Sequence, residues 1–206
     1  MRREENKRRG QDEKRSDQAH KMIERVFYGP ETADYKDITD KETQVKGVDS
    51  VFTYNGVEYD CDEKAAVNYV GKNLQTFSME LTFIDRANKL VDGWFVKEGS
   101  KTDSYLFMWL DADTYEIALV RKKDIENYLE RLGWDIDKLY RKAEKIRYED
   151  DRKFGFLNEN GCKFSFSDWL PEEPINVLVP RKELTRMAVY TNKFPYEEED
   201  KKVFEI

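Results

Sequence analysis

The strongest local constraint in this chain is the pair Asn55-Gly56, which lies between two β-rich runs, Ser50–Tyr54 and Val57–Cys61. Both central residues of a type I′ turn need positive φ, and asparagine and glycine adopt it at least cost. The pair therefore predicts a two-residue β-hairpin. Its turn determines the register, so Tyr54 pairs with Val57 and every other pair follows.

This register places two acidic residues opposite each other at the open end of the hairpin. Asp49 faces Asp62, and Lys64 lies on the same face of the second strand because side chains alternate. Opposed carboxylates normally cost a few tenths to about 1 kcal/mol. A divalent cation between them reverses that sign, and two carboxylates with water and phosphate oxygens suit Mg²⁺. The residues on the other face of the hairpin predict a surface that packs on the core: Phe52, Tyr54, Val57, Tyr59 and Cys61.

The remaining periodicity predicts an α+β (mixed α/β) fold. A helix with one apolar face runs from Asp17 to Gly29-Pro30. Residues 64–73 predict either a short helix or an irregular crossover, residues 125–132 and 136–146 predict two further helices, and Asn158–Gly161 predicts a second hairpin turn. Strand-like runs are Tyr35–Thr39, Thr76–Ile84, Leu90–Lys97, Ser104–Leu110, Glu116–Val120 and Ile175–Val179.

Charge is unevenly distributed along the 206 residues. Residues 1–16 hold seven Lys/Arg and four acids, a formal +3, which leaves −10 for the rest because the whole chain is −7. We expect residues 1–16 to be a disordered tail or a frayed helix extension, and residues 17–206 to form a single domain. A body at −10 argues against a basic coat for nucleic acid, but it allows a local basic patch beside an acidic metal site.

Composition excludes several classes of protein. The longest strongly apolar run, Tyr105–Leu110, has six residues, whereas a membrane-spanning helix needs about 20. No signal-peptide run begins the chain, and its two cysteines form no spaced cluster, so we expect a cytoplasmic protein with reduced thiols. The single histidine, His20, excludes a His-rich metal site and makes a His-based triad improbable.

Asp49 at the start of one hairpin strand, with Asp62-Glu63-Lys64 at the end of the next, resembles the PD-(D/E)XK nuclease superfamily. Gly47–Phe52, Tyr59–Ala65 and Pro174–Pro180 also resemble an uncharacterised bacterial branch of it. The resemblance covers roughly residues 17–190. It implies a restriction-endonuclease-like core, in which a central mixed sheet carries the acidic hairpin between flanking helices. No proline precedes Asp49, and the helix that should follow Lys64 is weakly indicated.

The resemblance also implies roles for the site residues. Asp49 and Asp62 would bind Mg²⁺, or Mn²⁺ as a substitute, together with the backbone carbonyl of Glu63. Lys64 would orient the attacking water or help to deprotonate it. Glu24, on the first helix, would be a third acidic ligand, although solvated helix charge is the preferred interpretation of this residue. The implied reaction is hydrolysis of phosphodiester bonds in nucleic acid, with DNA as the expected substrate and no membrane partner; a homo-oligomer is compatible with the sequence.

Two other classes of function remain open. An acid-x-Lys triplet is common in so charged a chain, and Asp34-Tyr35-Lys36 is another example. The first alternative is a non-catalytic binding or regulatory protein on the same fold. The second is an unrelated α+β protein-interaction module whose hairpin acids are accidental. The basic runs 121–123 and 141–147 could contact phosphates, but solvated helix charge with i,i+4 pairs is the preferred interpretation.

Overall fold

The Asn55-Gly56 turn forms, with φ of 50° and 76° at its two residues. It joins strand β2 (Ser50–Tyr54) to strand β3 (Val57–Ala65). The antiparallel register runs from Tyr54↔Val57 to Ser50↔Cys61, as predicted. The sequence therefore determines this hairpin locally, through a turn that needs two residues at positive φ.

The structure is a computed structural model that describes residues 2–40, 43, 46–149, 154–167, 170 and 172–206. Over these residues the fold is mixed α+β with two sheets, which confirms the predicted class. Contacts within the chain define two compact units. The first comprises 1–74, 101–122 and 188–206, and the second comprises 75–100 and 123–187. The single nuclease-like domain over 17–206 stays a prediction.

The first unit is built on a six-stranded sheet in the order β1-β2-β3-β6-β7-β11. Its other strands are β1 (Ala33–Asp37), β6 (Ser104–Leu110), β7 (Thr114–Arg121) and β11 (Tyr190–Pro195). Strands β3 and β6 are parallel, and all other neighbours are antiparallel. The sheet is therefore mixed, and the acidic hairpin lies inside it rather than at an edge.

Helix α1 (Arg2–Ile23) packs its apolar stripe against this sheet. A single π-helical turn (Glu24–Tyr28) and the short helix α2 (Gly29–Glu31) follow. The helix includes residues 2–16, for which the sequence favours a disordered tail or a frayed helix extension. The buried core of this unit is formed by Ala19, Met22, Ile23, Phe27, Tyr28, Phe52, Tyr59, Cys61, Val67, Leu106, Met108, Leu110, Tyr115, Ile117, Leu119, Tyr196 and Phe204.

The second unit contains a five-stranded antiparallel sheet in the order β5-β4-β10-β9-β8. Its strands are β4 (Thr76–Ile84), β5 (Leu90–Asp92), β8 (Phe154–Glu159), β9 (Cys162–Ser167) and β10 (Ile175–Pro180). The associated helices are α3 (Lys122–Arg131), α4 (Ile136–Glu149) and α5 (Arg181–Met187). The second hairpin and the two middle helices confirm the sequence pattern.

One segment differs from expectation, and a second resolves an alternative that the sequence leaves open. Strand β5 ends at Asp92 instead of continuing to Lys97. The next residue, Gly93, lies against the backbone of Glu80, where a Cβ would be 2.4 Å from the Glu80 carbonyl oxygen. After β3 the chain makes only a 3₁₀ turn, Val67–Tyr69, which is the irregular crossover and not the helix. Both cysteines are free and buried. Among the described residues, no helix has the length and apolarity needed to span a membrane.

Helix α6 (Glu198–Phe204) is joined to α1 by a buried carboxylate. Asp200 has no exposed surface and accepts hydrogen bonds from Gln18 Nε2 (2.8 Å) and Arg25 (2.7 Å). It also accepts the backbone N–H of Glu197, which completes a capping box. The carboxylate therefore both caps α6 and connects it to the first helix.

We expect Asp200→Ala to lower the free energy of unfolding by about 3 kcal/mol, because Arg25 and Gln18 lose their buried acceptor. Urea unfolding with an unchanged m-value measures this loss. Glu198→Ala is the matched control, since its ion pair with Lys201 is exposed and worth less than about 1 kcal/mol. Equal effects of the two substitutions would contradict the anchoring role.

Candidate active site

Asp49 lies one residue before β2, at the point where the hairpin ladder has ended. Its backbone N–H donates to the Cys61 carbonyl at 2.8 Å. Its carboxylate oxygen Oδ2 accepts the backbone N–H of Glu63 at 3.0 Å. Asp49 therefore does not form the ladder pair with Asp62 that the register predicts. Its side chain instead extends to β3 and satisfies a backbone donor there.

Asp62 is a buried carboxyl, only 5% exposed. Its burial raises the pKa from 3.8 to about 7, although the charge of Lys64 acts in the opposite direction. The charge of Asp49 and a hydrogen bond between the two carboxyls raise this pKa further. The hairpin thus brings Asp49 and Asp62 into contact. At neutral pH about half of the Asp62 side chains would carry a proton when no cation is bound.

Lys64 lies two residues after Asp62 on the same face of β3, as strand alternation predicts. Its ammonium Nζ donates a short hydrogen bond to Asp62 Oδ1. Its side chain keeps about a fifth of its surface exposed. Lys64 is therefore the counterion of the buried carboxylate, and it is close enough to the acid pair to contact a ligand bound there.

The backbone and the side chain of Glu63 point in different directions. Its backbone N–H donates to Asp49, and the carbonyl of a strand residue points to the same side as its N–H. That carbonyl therefore points beyond the end of β2, toward Asp49, where the resemblance requires a third oxygen donor. Its side chain lies on the other face of β3, away from the Asp62 carboxyl.

The Glu63 carboxylate is held by two residues that precede β1. Tyr28 donates its hydroxyl proton to Glu63 Oε1 at 2.8 Å, and His20 Nδ1 lies 2.9 Å from Oε2. The hydrogen bond to Glu63 raises the pKa of His20 to about 9 despite partial burial. His20 is therefore protonated at neutral pH and donates. Sequence reasoning missed this cluster, although His20 and Tyr28, eight residues apart, fall on one side of a helix.

Glu24 belongs to this second cluster. Its carboxylate lies 3.7 Å from His20 Nε2 and accepts the hydroxyl of Tyr35 at 3.4 Å. It is thus placed with the side chain of Glu63, on the face opposite to Asp62. No contact supports the expectation that Glu24 is a third metal ligand, and this part of the site stays a prediction without support.

The oxygen donors near Asp49 and Asp62 are of the type that Mg²⁺ prefers. Within the described part of the chain, no group of three or more His, Cys, Asp or Glu residues could hold a metal ion. Two adjoining carboxyls and one main-chain carbonyl remain. Mg²⁺ usually keeps several waters and binds proteins through one or two carboxylates together with substrate phosphates. The carboxylates of Asp49 and Asp62 are ligands of this kind.

The basic runs are largely paired with acids or aromatic rings. Arg121 lies over the ring of Tyr59, with 5.8 Å between its guanidinium carbon and the ring centroid. On α4 the paired cations are Lys142 with Glu159, Lys145 with Glu149 and Arg147 with Glu173. Only the Lys145–Glu149 pair is the solvated i,i+4 pair that the sequence favours, because the side chains of Lys142 and Arg147 are 10% and 9% exposed and pair with acids on other segments.

Comparisons with known proteins identify no relative of this chain. No protein-family model matches the chain, and neither a curated protein nor a solved structure matches it. The likeness to PD-(D/E)XK nucleases therefore depends on the residues of this chain alone.

We expect Asp62→Asn to stabilise the metal-free protein, and to do so only above pH 4. The folded protein holds the Asp62 proton more tightly than the unfolded chain, so ionisation lowers the wild-type free energy of unfolding between about pH 4 and 7. Asparagine does not ionise. The difference between variant and wild type should grow by on the order of 2 to 4 kcal/mol over that range and then level off.

Urea unfolding in EDTA at pH 4 to 8 measures this difference. Asp60→Asn is the control, because Asp60 lies on the same face of β3 and is less buried. A pH-independent loss of stability in Asp62→Asn would instead identify Asp62 as a structural acid.

Proposed function

We propose that the protein is a Mg²⁺-dependent nuclease that hydrolyses phosphodiester bonds, with DNA as the expected substrate. The observation that carries the proposal is one juxtaposition. Asp49 and Asp62 are in contact at the open end of the hairpin, and the ammonium of Lys64 lies against Asp62. The triplet Asp34-Tyr35-Lys36 lies on β1, where Lys36 pairs with Val51 and not with an acid.

The energetic cost of this arrangement supports a functional role. A buried carboxyl whose pKa is raised, and which adjoins a second acid, lowers the free energy of unfolding at neutral pH. Such groups cluster at functional sites, where the chemistry requires the perturbed environment. A divalent cation turns the repulsion between the acids into attraction. The pair is thus unfavourable in the empty protein and favourable with the ion.

The residues divide the proposed chemistry among them. Asp49, Asp62 and the carbonyl of Glu63 would hold Mg²⁺, which when bound supplies Lewis-acid stabilisation of the phosphate and a more acidic water. With the charge of Asp62 met by the ion, Lys64 would be able to donate to a phosphate oxygen or to orient the attacking water. Its compact, mobile ammonium suits that exchange of partners.

We expect Mg²⁺ or Mn²⁺ to raise the melting temperature, because the ion binds only the folded arrangement. At ten times Kd the stabilisation is about 1.4 kcal/mol. Asp49→Asn and Asp62→Asn should each abolish this rise, whereas Asp60→Asn should keep it. Thermal unfolding with a metal titration and EDTA reversal tests this. A metal-dependent rise that survives both substitutions would place the site elsewhere.

Lys64→Ala separates catalysis from metal binding. We expect it to lower the cleavage rate by about 10² to 10³, in line with the loss of a transition-state donor, while metal-dependent stabilisation remains. Lys36→Ala, in the triplet Asp34-Tyr35-Lys36, is the matched control. Plasmid, linear and single-stranded DNA and RNA should be assayed with Mg²⁺, Mn²⁺ and EDTA.

Two results would contradict the nuclease proposal. One is cleavage by Lys64→Ala at the wild-type rate. The other is a wild-type protein that binds the metal but cuts none of these substrates. The second result would favour the non-catalytic binding protein on the same fold.

A further inference from the structure

The hydroxyl of Tyr28 bridges the two strands of the acidic hairpin from its core side. It lies 2.8 Å from Ser50 Oγ on β2 and 2.8 Å from Glu63 Oε1 on β3. Ser50 directly follows Asp49, and Glu63 lies between Asp62 and Lys64. A single phenol thus contacts both chain segments that carry the proposed metal ligands.

The hydrogen bonds of this bridge have a defined direction. A tyrosine hydroxyl carries a single proton, and that of Tyr28 points to Glu63 Oε1. That one proton is donated to the Glu63 carboxylate, which can only accept. The Ser50 hydroxyl must then donate to the Tyr28 oxygen. Ser50 and Tyr28 are 0% and 2% exposed, so the bond between their hydroxyls is shielded from water.

The phenol itself is rigidly held. Its ring stacks on Tyr35 with centroids 4.3 Å apart and an angle of 16° between planes, and it also packs on Phe52. His20 holds the second oxygen of the Glu63 carboxylate at 2.9 Å. The Glu63 side chain is therefore oriented by two donors on the first helix and its π-helical turn.

The Tyr28 bridge lies at the end of the hairpin's backbone ladder. The backbone ladder ends at Ser50↔Cys61, so Asp49 and Glu63 are joined beyond it by the Asp49 carboxylate. A carboxylate that binds a cation shares its lone pairs and holds the Glu63 N–H less firmly. The Tyr28 bridge does not depend on those lone pairs, and it can keep the two segments at one spacing with or without the ion.

We infer that Tyr28 is a positioning residue of the metal centre: by bridging Ser50 and Glu63, it sets the spacing between Asp49 and the Asp62-Glu63 segment that a divalent cation requires. This inference rests on the proposed function. Groups that orient metal ligands typically change metal affinity by 10- to 100-fold when they are removed. The expected effect is therefore on affinity for the ion, with the chemical step less affected.

The test measures Mn²⁺ binding to the full chain by electron paramagnetic resonance. Tyr28→Phe deletes only the hydroxyl and keeps the stacked ring, and we expect it to weaken Mn²⁺ binding about tenfold or more. In cleavage assays the Mg²⁺ concentration for half-maximal rate should rise similarly, while kcat at saturating Mg²⁺ changes much less. Circular dichroism at the assay temperature establishes that each variant is folded.

Tyr196→Phe is the matched control. Tyr196 is a buried tyrosine of the same unit, 7% exposed, whose hydroxyl donates to the Asp111 carbonyl at 2.8 Å. Its loss removes one buried hydrogen bond far along the chain from the hairpin. We expect it to leave Mn²⁺ affinity at the wild-type value. Ser50→Ala, which removes the β2 half of the bridge, should weaken Mn²⁺ binding in the same direction as Tyr28→Phe.

The outcomes separate this inference from the proposed function. If the wild type binds Mn²⁺ and Tyr28→Phe binds it as tightly as Tyr196→Phe does, the positioning role is wrong and the nuclease proposal stands. If Tyr28→Phe does not fold, an unchanged Mn²⁺ affinity in Ser50→Ala overturns the role in the same way. If the wild type binds no Mn²⁺, the proposed metal centre and this inference both fail.

Discussion

The tight turn at Asn55-Gly56 is the constraint on which the rest of the first unit depends. A slip of β3 by one residue against β2 would turn every β3 side chain to the opposite face. Glu63 would then lose His20 and Tyr28, and the buried side chains of Tyr59 and Cys61 would leave the core. The register of β2 and β3 therefore determines both the core packing and the arrangement of the acids.

Two carboxylates of this unit are met by a donor from another part of the chain. Asp200 is held by Arg25, and Glu63 is held by His20. Asp62 differs, because its counterion Lys64 comes from its own strand and another acid adjoins it. The first two carboxylates connect elements that are distant in sequence. The Asp62–Lys64 pair instead joins two residues of one strand.

Local patterns predicted the hairpin, the apolar stripe of α1 and the helices of the second unit, because each depends on residues within one element. The parallel pairing of β3 with β6 and the elements α5, β11 and α6 were not predicted. Pairing across about 40 residues leaves no periodic signal, and the C-terminal segments are short and polar. Asp49 was predicted beside Asp62 but inside the ladder. Its departure from the ladder depends on the Glu63 N–H, which no sequence pattern reveals.

His20 is the chain's only histidine, and it lies one hydrogen bond behind the acidic hairpin. Its imidazole therefore gives one set of side-chain resonances in a nuclear magnetic resonance spectrum, with no assignment needed. Because Nδ1 contacts Glu63, whose backbone adjoins Asp49, those resonances are sensitive to structural changes on the core side of the proposed site. A ligand at the acids that shifts β3 would be visible in the spectrum of a single ring, without a label or a cysteine introduced into the protein.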